Sequence, residues 1–320
     1  VWCCDRHPHI RETVTRTTGL APVPAPGPAA LSVAAPTVTS MATLPNPLPR
    51  LAADPSGRSL GLALPLGRLI DATAEGPWHE PLLWHGAYDA SPGAWTALGS
   101  PAARVGLLPV LVQTGDRQDA LDKWGLRPAL MSYPGDHDAE EVLAEFWGRE
   151  EIAEWDEAGD VLAPFGPDWP GPAPAGPLTA DPAARAAEVA DSLLADGSLP
   201  AHGSYLEESR LALVPARRSA DIPAAIGWTG PLNHENDVAR LCAVLRSWED
   251  RFGIRVVALA PDQLVVSVAA PPTTTADAEA LAAEHFAFCP DNITQGEHDT
   301  LRTYAAEEVL GQRMWSFWWD

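Results

Sequence analysis

Apolar positions along the chain change period several times, most legibly from Asn233 to Asp320. After Asn236, a good helix N-cap, Val238, Leu241, Cys242, Leu245, Trp248 and Phe252 follow at helical spacing, predicting one continuous apolar stripe that ends at Gly253. Arg240, Arg246, Glu249, Asp250 and Arg251 fall on the wet side of that helix. Ile254–Ala260 and Leu264–Ala269 are β-branched runs parted by Pro261-Asp262-Gln263, the pattern of a hairpin. Threonines at Thr273 to Thr275 then cap a second helix that closes before Pro290. In the closing Trp315-Ser316-Phe317-Trp318-Trp319-Asp320, period two puts Trp315, Phe317 and Trp319 on one face and Ser316, Trp318 and Asp320 on the other. Aromatic residues on both faces predict a strand covered on both sides.

The N-terminal half is less regular. Leu60–Leu69, Val105–Gln113 and Ala129–Tyr133 read as strands, and Asp116–Trp124 as a short helix. A longer helix from about Asp138 to Glu157 carries Val142, Leu143, Phe146, Trp147, Ile152 and Trp155 on its apolar side. A strand, a polar turn and a helix with a late Trp recur in Val105–Trp124, Ala129–Trp147 and Leu211–Trp228, although only the order of features repeats. Prolines every two or three residues between Val161 and Pro182 exclude helix and central strand, so residues 161–182 read as a linker. The expected organisation is an N-terminal α/β unit at 41–160 and a C-terminal α+β domain at 183–320, the latter with packed helices on a mixed or mainly antiparallel sheet. Val1–Ser40 is rich in Pro, Ala and Thr without apolar period, and reads as a disordered arm or as sequence upstream of a native start at Met41.

Charge narrows the partners. A net charge of -22 argues against nucleic acid, whose binding draws on clustered Lys and Arg, and Lys123 is the only lysine. No apolar run approaches the roughly 18 to 20 residues that cross a bilayer, so no membrane partner is expected. Cys242 and Cys289 are the only cysteines inside predicted structure and do not form a disulfide framework, which fits a reducing cytoplasm.

Four stretches of the C-terminal part carry a family resemblance: Gly227-Trp228-Thr229-Gly230-Pro231, Arg246-Ser247-Trp248-Glu249-Asp250-Arg251-Phe252-Gly253, Ala283 to Asn292 with its Phe288-Cys289-Pro290-Asp291-Asn292, and the terminal Trp315 to Asp320. Together they resemble the bacterial domain of unknown function 4253 over about the last third of the chain. Pro77-Trp78-His79-Glu80 and Trp84-His85 are similar to longer members. A family defined without an activity implies kinship, and implies no catalytic or binding residues.

Candidate chemistry is sparse. His285 and Cys289 lie four apart on one helix with Glu284 beside them; imidazole and thiolate at that spacing could ligate zinc or act as base and nucleophile, while a core histidine and a buried thiol explain the same pattern. His234-Glu235-Asn236-Asp237 precedes a helix, where capping is the simpler role and an anion or metal the sharper one. Asp291 and Asn292 follow Pro290 as turn residues. His79 and His85 are six apart, a spacing that fits neither a helix nor a strand. Residues 136–160 hold eleven carboxylates against Arg149 alone, a solvated face or a docking surface for a basic partner. Thirteen tryptophans serve core packing or interfaces, and Trp228 and Trp248 join His234 and Asp291 as binding candidates. No cofactor is implied. The expectation is a cytoplasmic acidic binding or regulatory protein with a basic protein partner, in the manner of immunity proteins; the alternative is a metal-dependent hydrolase using the His285/Cys289 region.

Overall fold

Nine strands occur among the residues that the computed structural model describes, which are 45–114, 121–148, 161–196 and 208–320. They are β1 (Gly67–Ile70), β2 (Ala72–Thr73), β3 (Gly76–Pro77), β4 (Leu83–Gly86), β5 (Leu107–Gln113), β6 (Ser209–Pro215), β7 (Arg255–Leu259), β8 (Gln263–Ser267) and β9 (Met314–Trp318). Seven form one sheet in the order β1-β4-β6-β5-β7-β8-β9, and β2 with β3 makes a separate small hairpin. Every neighbour pair in the large sheet is antiparallel except β5 with β7, so the sheet is mixed. Among the described residues the α-helices of two turns or more are α1 (Ala94–Ala103), α2 (Ala139–Trp147), α3 (Pro182–Asp196), α4 (Val238–Phe252) and α5 (Thr275–Phe288).

Register divides the core into layers. Val110, Val112, Ala212, Val214, Leu264, Val266, Trp315 and Phe317 share one face, and pack in one core cluster with Phe146 of α2, Trp248 of α4 and Phe286 of α5. Leu111, Leu211, Ala258 and Val265 face the other way, against Trp95 of α1 and Ala186, Val189, Ala190 and Leu193 of α3. Helices therefore cover both faces, which is why the central strands read as unbroken apolar runs. The architecture is α+β, with packed helices on a mixed sheet.

The sheet runs across the expected domain boundary: β1, β4 and β5 come from before residue 160, β6 to β9 from after 182, and the described residues belong to one compact unit. Strand β6 zips along β5 over seven residue pairs, an interface too long for two separate domains. Nor is 161–181 a free spacer. Proline does exclude helix there, but the remaining backbone groups find partners: Ala173 N–H donates to Glu284, Ala173 carbonyl accepts from Arg251, and Thr179 N–H donates to Ala269.

Several local expectations are corrected. Leu60–Leu69 becomes a short turn at Arg58–Leu60 and only then β1. Ala129–Tyr133 is no strand: Ala129 and Leu130 belong to a 3₁₀ turn, Pro128–Leu130, and Pro128 and Pro134 bracket the segment. That removes the strand from the second copy of the suspected repeat. The cap of α4 is Asp237, whose carboxylate accepts from Ala239 N–H, in place of Asn236. Of the segment expected to be helix at 116–124, the described part holds a 3₁₀ turn, Leu121–Lys123, and residues 115–120 lie outside the described residues; of the 138–157 helix the described part is α2, and 149–160 likewise lie outside, as do residues 1–44.

Candidate functional site

The residues of Arg246–Gly253 are tied to structure one by one. Glu284, wholly buried on α5, accepts from Trp248 Nε1 at 2.8 Å, from the Ala173 N–H at 2.7 Å, and from both terminal nitrogens of Arg251. A buried carboxylate is tolerable only with such complete pairing. Arg246 clasps Asp221 through Nε and Nη2, a hydrogen bond that raises the guanidinium pKa further. Glu249 accepts from the Ala220 N–H at 3.0 Å and forms ion pairs with Arg218 and Arg255. Gly253 ends α4 at φ 62, where a side chain would strike Leu178. In Gly227–Pro231, Gly227 at φ 68 abuts the Arg127–Pro128 backbone, Trp228 Nε1 donates to the Ala260 carbonyl at 2.8 Å, and Thr229 hydroxyl donates to the Trp124 carbonyl.

The Phe288–Asn292 stretch has a different task, the sealing of a strand edge. Strand β9 is the last of the sheet, and its odd residues bond inward: the Arg313 carbonyl accepts from Val268 and the Trp319 N–H donates to Asp262. Its even residues therefore face outward. Asn292 Nδ2 donates to the Ser316 carbonyl at 2.7 Å while Asn292 Oδ1 accepts from the Trp318 N–H at 3.2 Å, so one side-chain amide pairs with the edge as a neighbouring strand would. Cys289 Sγ donates to the Trp318 carbonyl at 2.9 Å, and Asp291 Oδ2 accepts from the Asp320 N–H at 3.1 Å.

These bonds fix the protons of the neighbouring histidine. Asn292 Oδ1 accepts from the Trp318 N–H and one Nδ2 proton goes to the Ser316 carbonyl, so the second Nδ2 proton donates to Tyr304 Oη, at 3.1 Å. Tyr304 in turn gives its proton to His285 Nδ1, also 3.1 Å away, which leaves the His285 proton on Nε2. That nitrogen has no hydrogen-bond partner, and the ring sits among Trp248, Trp315 and Phe317. Burial, aided by the Arg251 charge, holds the imidazole neutral with a pKa of about 3, and burial keeps the Cys289 thiol well above its ordinary value. The geometry places Glu284 as a fully paired buried carboxylate, His285 in an aromatic cage and Cys289 against the strand edge. Among the described residues no group of three or more His, Cys, Asp or Glu side chains could hold a metal ion.

The other candidates are dispersed. Trp228 and Trp248 are core residues. His234 packs its ring edge-on against Phe146, and Glu235 pairs with Arg240 at 2.7 Å. His79 is exposed beside Trp78, whereas His85 is buried on β4, so the two do not converge. Of the acidic run, Asp138 caps α2 and Glu145 pairs with Arg240.

What remains open is the first half of the β9 edge. Neither the Met314 backbone nor the Ser316 N–H bonds to any partner among the described residues. Both residues line a cleft of about 610 Å³ between β9, α3 and residues 307–313, which lead from the π-helical segment Ala305–Val309 into the strand. Its lining carries Glu188, Glu307 and Glu308 beside Arg185 and Arg313; the nearly buried Arg185 bonds to Glu188 at 2.5 Å, and His298 lies 3.8 Å from Glu307 and 3.3 Å from Glu308. Sequence reasoning missed these positions; the Glu307-Glu308 doublet just before an aromatic strand was the available signal.

A mixed α+β domain with a sealed signature and a half-open edge is the class this geometry defines. Residues 210–320 match the family model described as Domain of unknown function (DUF4253), which confirms the resemblance over the C-terminal third. No curated protein matches the chain, and no solved structure does. Among the described residues no helix is long and apolar enough to cross a membrane.

Proposed function

We propose that the protein is a cytoplasmic acidic binding or regulatory protein, and that it docks an extended, basic segment of a partner protein along the open half of β9. One observation carries this reading: Asn292, Cys289 and Asp291 occupy the edge from the Ser316 carbonyl onward, while Met314 and Ser316, whose N–H groups point out from the edge, line a cleft with three glutamates against Arg185 and Arg313. Unpaired strand groups recruit extended segments by strand addition, and the carboxylates favour Lys or Arg at alternate positions. A net charge of -22 speeds the encounter with a basic protein. Neutralising such a protein, as immunity proteins do, is the form of regulation this chemistry suits.

Met314→Pro removes an outward N–H at the first residue of the strand, where proline is tolerated, and leaves the β8–β9 ladder intact. Stoichiometric partners recovered from native lysate by the wild type, and lost with both Met314→Pro and Glu307→Gln/Glu308→Gln, are the expected result. Partners retained through both variants, or no stoichiometric partner at all, contradict the reading.

A further inference from the structure

The geometry points to a second site at the far end of the sheet, an oxyanion site for a phosphate group that retains a proton, built from His85, Arg210 and Arg68. Arg68 on β1 lies directly opposite His85 on β4, and His85 lies opposite Ala212 on β6. Arg210, two residues along from Ala212, shares that face; opposite residues sit roughly 5 Å apart and diagonal ones about 7–8 Å, so the three side chains are neighbours. His85 is 1% exposed and Arg210 7%, whereas the Arg68 side chain is 40% exposed, so the cluster opens to solvent at Arg68.

Two buried polar atoms there lack partners. His85 Nδ1 lies 2.7 Å from the Gly86 carbonyl oxygen, and a carbonyl only accepts, so Nδ1 carries the ring proton and Nε2 presents a bare lone pair. Neither that Nε2 nor the Arg210 Nε has a hydrogen-bond partner. That same Arg210 Nε has its countercharge in the largely exposed Asp89, whose Oδ1 lies 3.9 Å away, beyond hydrogen-bond distance. Arg68 is clasped by Asp122. Burial, with the Arg68 and Arg210 charges, holds the imidazole neutral at a pKa of about 4, against the raising effects of the Gly86 carbonyl and, less, of Asp122.

A ligand that satisfies both atoms must accept from Arg210 and donate to His85. A phosphate group bearing one O–H does both, whether free or as a monoester. Sulfate has the same shape without the O–H, which makes it the discriminating control.

Calorimetric titration of the full chain at about pH 6, near the second ionisation of a phosphate monoester, compares the two anions. Inorganic phosphate is expected to bind, with sulfate at least roughly tenfold weaker for want of one hydrogen bond to a buried acceptor. Glycerol phosphate distinguishes the sources: tighter binding than inorganic phosphate assigns an esterified ligand, weaker binding a free one. Arg210→Met is expected to abolish binding while the protein stays folded. Equal binding of phosphate and sulfate, absence of binding by any phosphate, or binding that survives in folded Arg210→Met overturns the site. Should that variant not fold, the wild-type comparison decides alone.

Discussion

His285 and His85 are both buried, both held neutral by burial, and both missing a partner at Nε2, yet they carry opposite tautomers. At the β9 end, the chain from Asn292 through Tyr304 puts the His285 proton on Nε2, facing a cage of aromatic rings. At the β4 end, the Gly86 carbonyl draws the proton to Nδ1 and leaves His85 with a free lone pair between arginines. The stretches that carry the family resemblance thus pack and close the fold at the β9 end, where the partnerless His285 nitrogen faces aromatic rings, whereas the partnerless His85 and Arg210 nitrogens lie at the other end of the sheet. A signature can mark how a fold is closed without marking what it does.

The largest effect that would sharpen this contrast is expected at Glu284. Glu284→Leu leaves Arg251 without its partner and should cost about 3–5 kcal/mol in urea unfolding, while Glu284→Leu/Arg251→Met should recover most of that. A small loss in the single variant would break the claim that this end is sealed by complete pairing.

Next comes Asn292→Ala, which strands the Ser316 carbonyl, the Trp318 N–H and Tyr304 Oη and should cost about 1–3 kcal/mol. It also lengthens the open edge, so sedimentation should show increased self-association.

The pH dependence follows from the two histidines. Each has a folded pKa below the ordinary 6.5, at about 3 for His285 and about 4 for His85, so below 6.5 the unfolded chain binds more protons than the folded one. Their contribution is complete above that value and is lost as pH falls from there through the folded pKa values. Urea midpoints measured between those limits should therefore fall with acid, and His285→Phe should flatten the slope. A midpoint independent of pH in that window would contradict neutral burial.

The smallest effect is expected at Asp250, an exposed partner of Arg218. Asp250→Ala should change stability by about 0–1 kcal/mol, despite its place inside the signature.

Local pattern carried much of the C-terminal fold. The stripe from Val238 to Phe252 became α4, the β-branched runs became β7 and β8, and the threonine cap became Thr274, which accepts from the Asp277 N–H. Trp315, Phe317 and Trp319 are buried on one face as period two requires. What eluded the sequence depends on distant pairing. Strand β4 is four residues long and gains its place only by pairing with β1 and β6. The role of Asn292 exists only because β9 is an edge, a fact of strand order. Proline spacing excluded helix from 161–182, which holds up to Asp181, Pro182 being the first residue of α3, but it could not show that Ala173 would pair with Glu284 and Arg251 on two helices.

The sealed signature is tested most directly by the rate at which a thiol reagent labels Cys289 in the native full chain, followed by peptide mass spectrometry and compared with the rate of global unfolding. Cys289 is wholly buried and bonded to the Trp318 carbonyl, so labelling is predicted only at the rate of global unfolding. Rapid labelling under native conditions would contradict the account, for it would mean that this thiol is reachable and that the signature surrounds a working site.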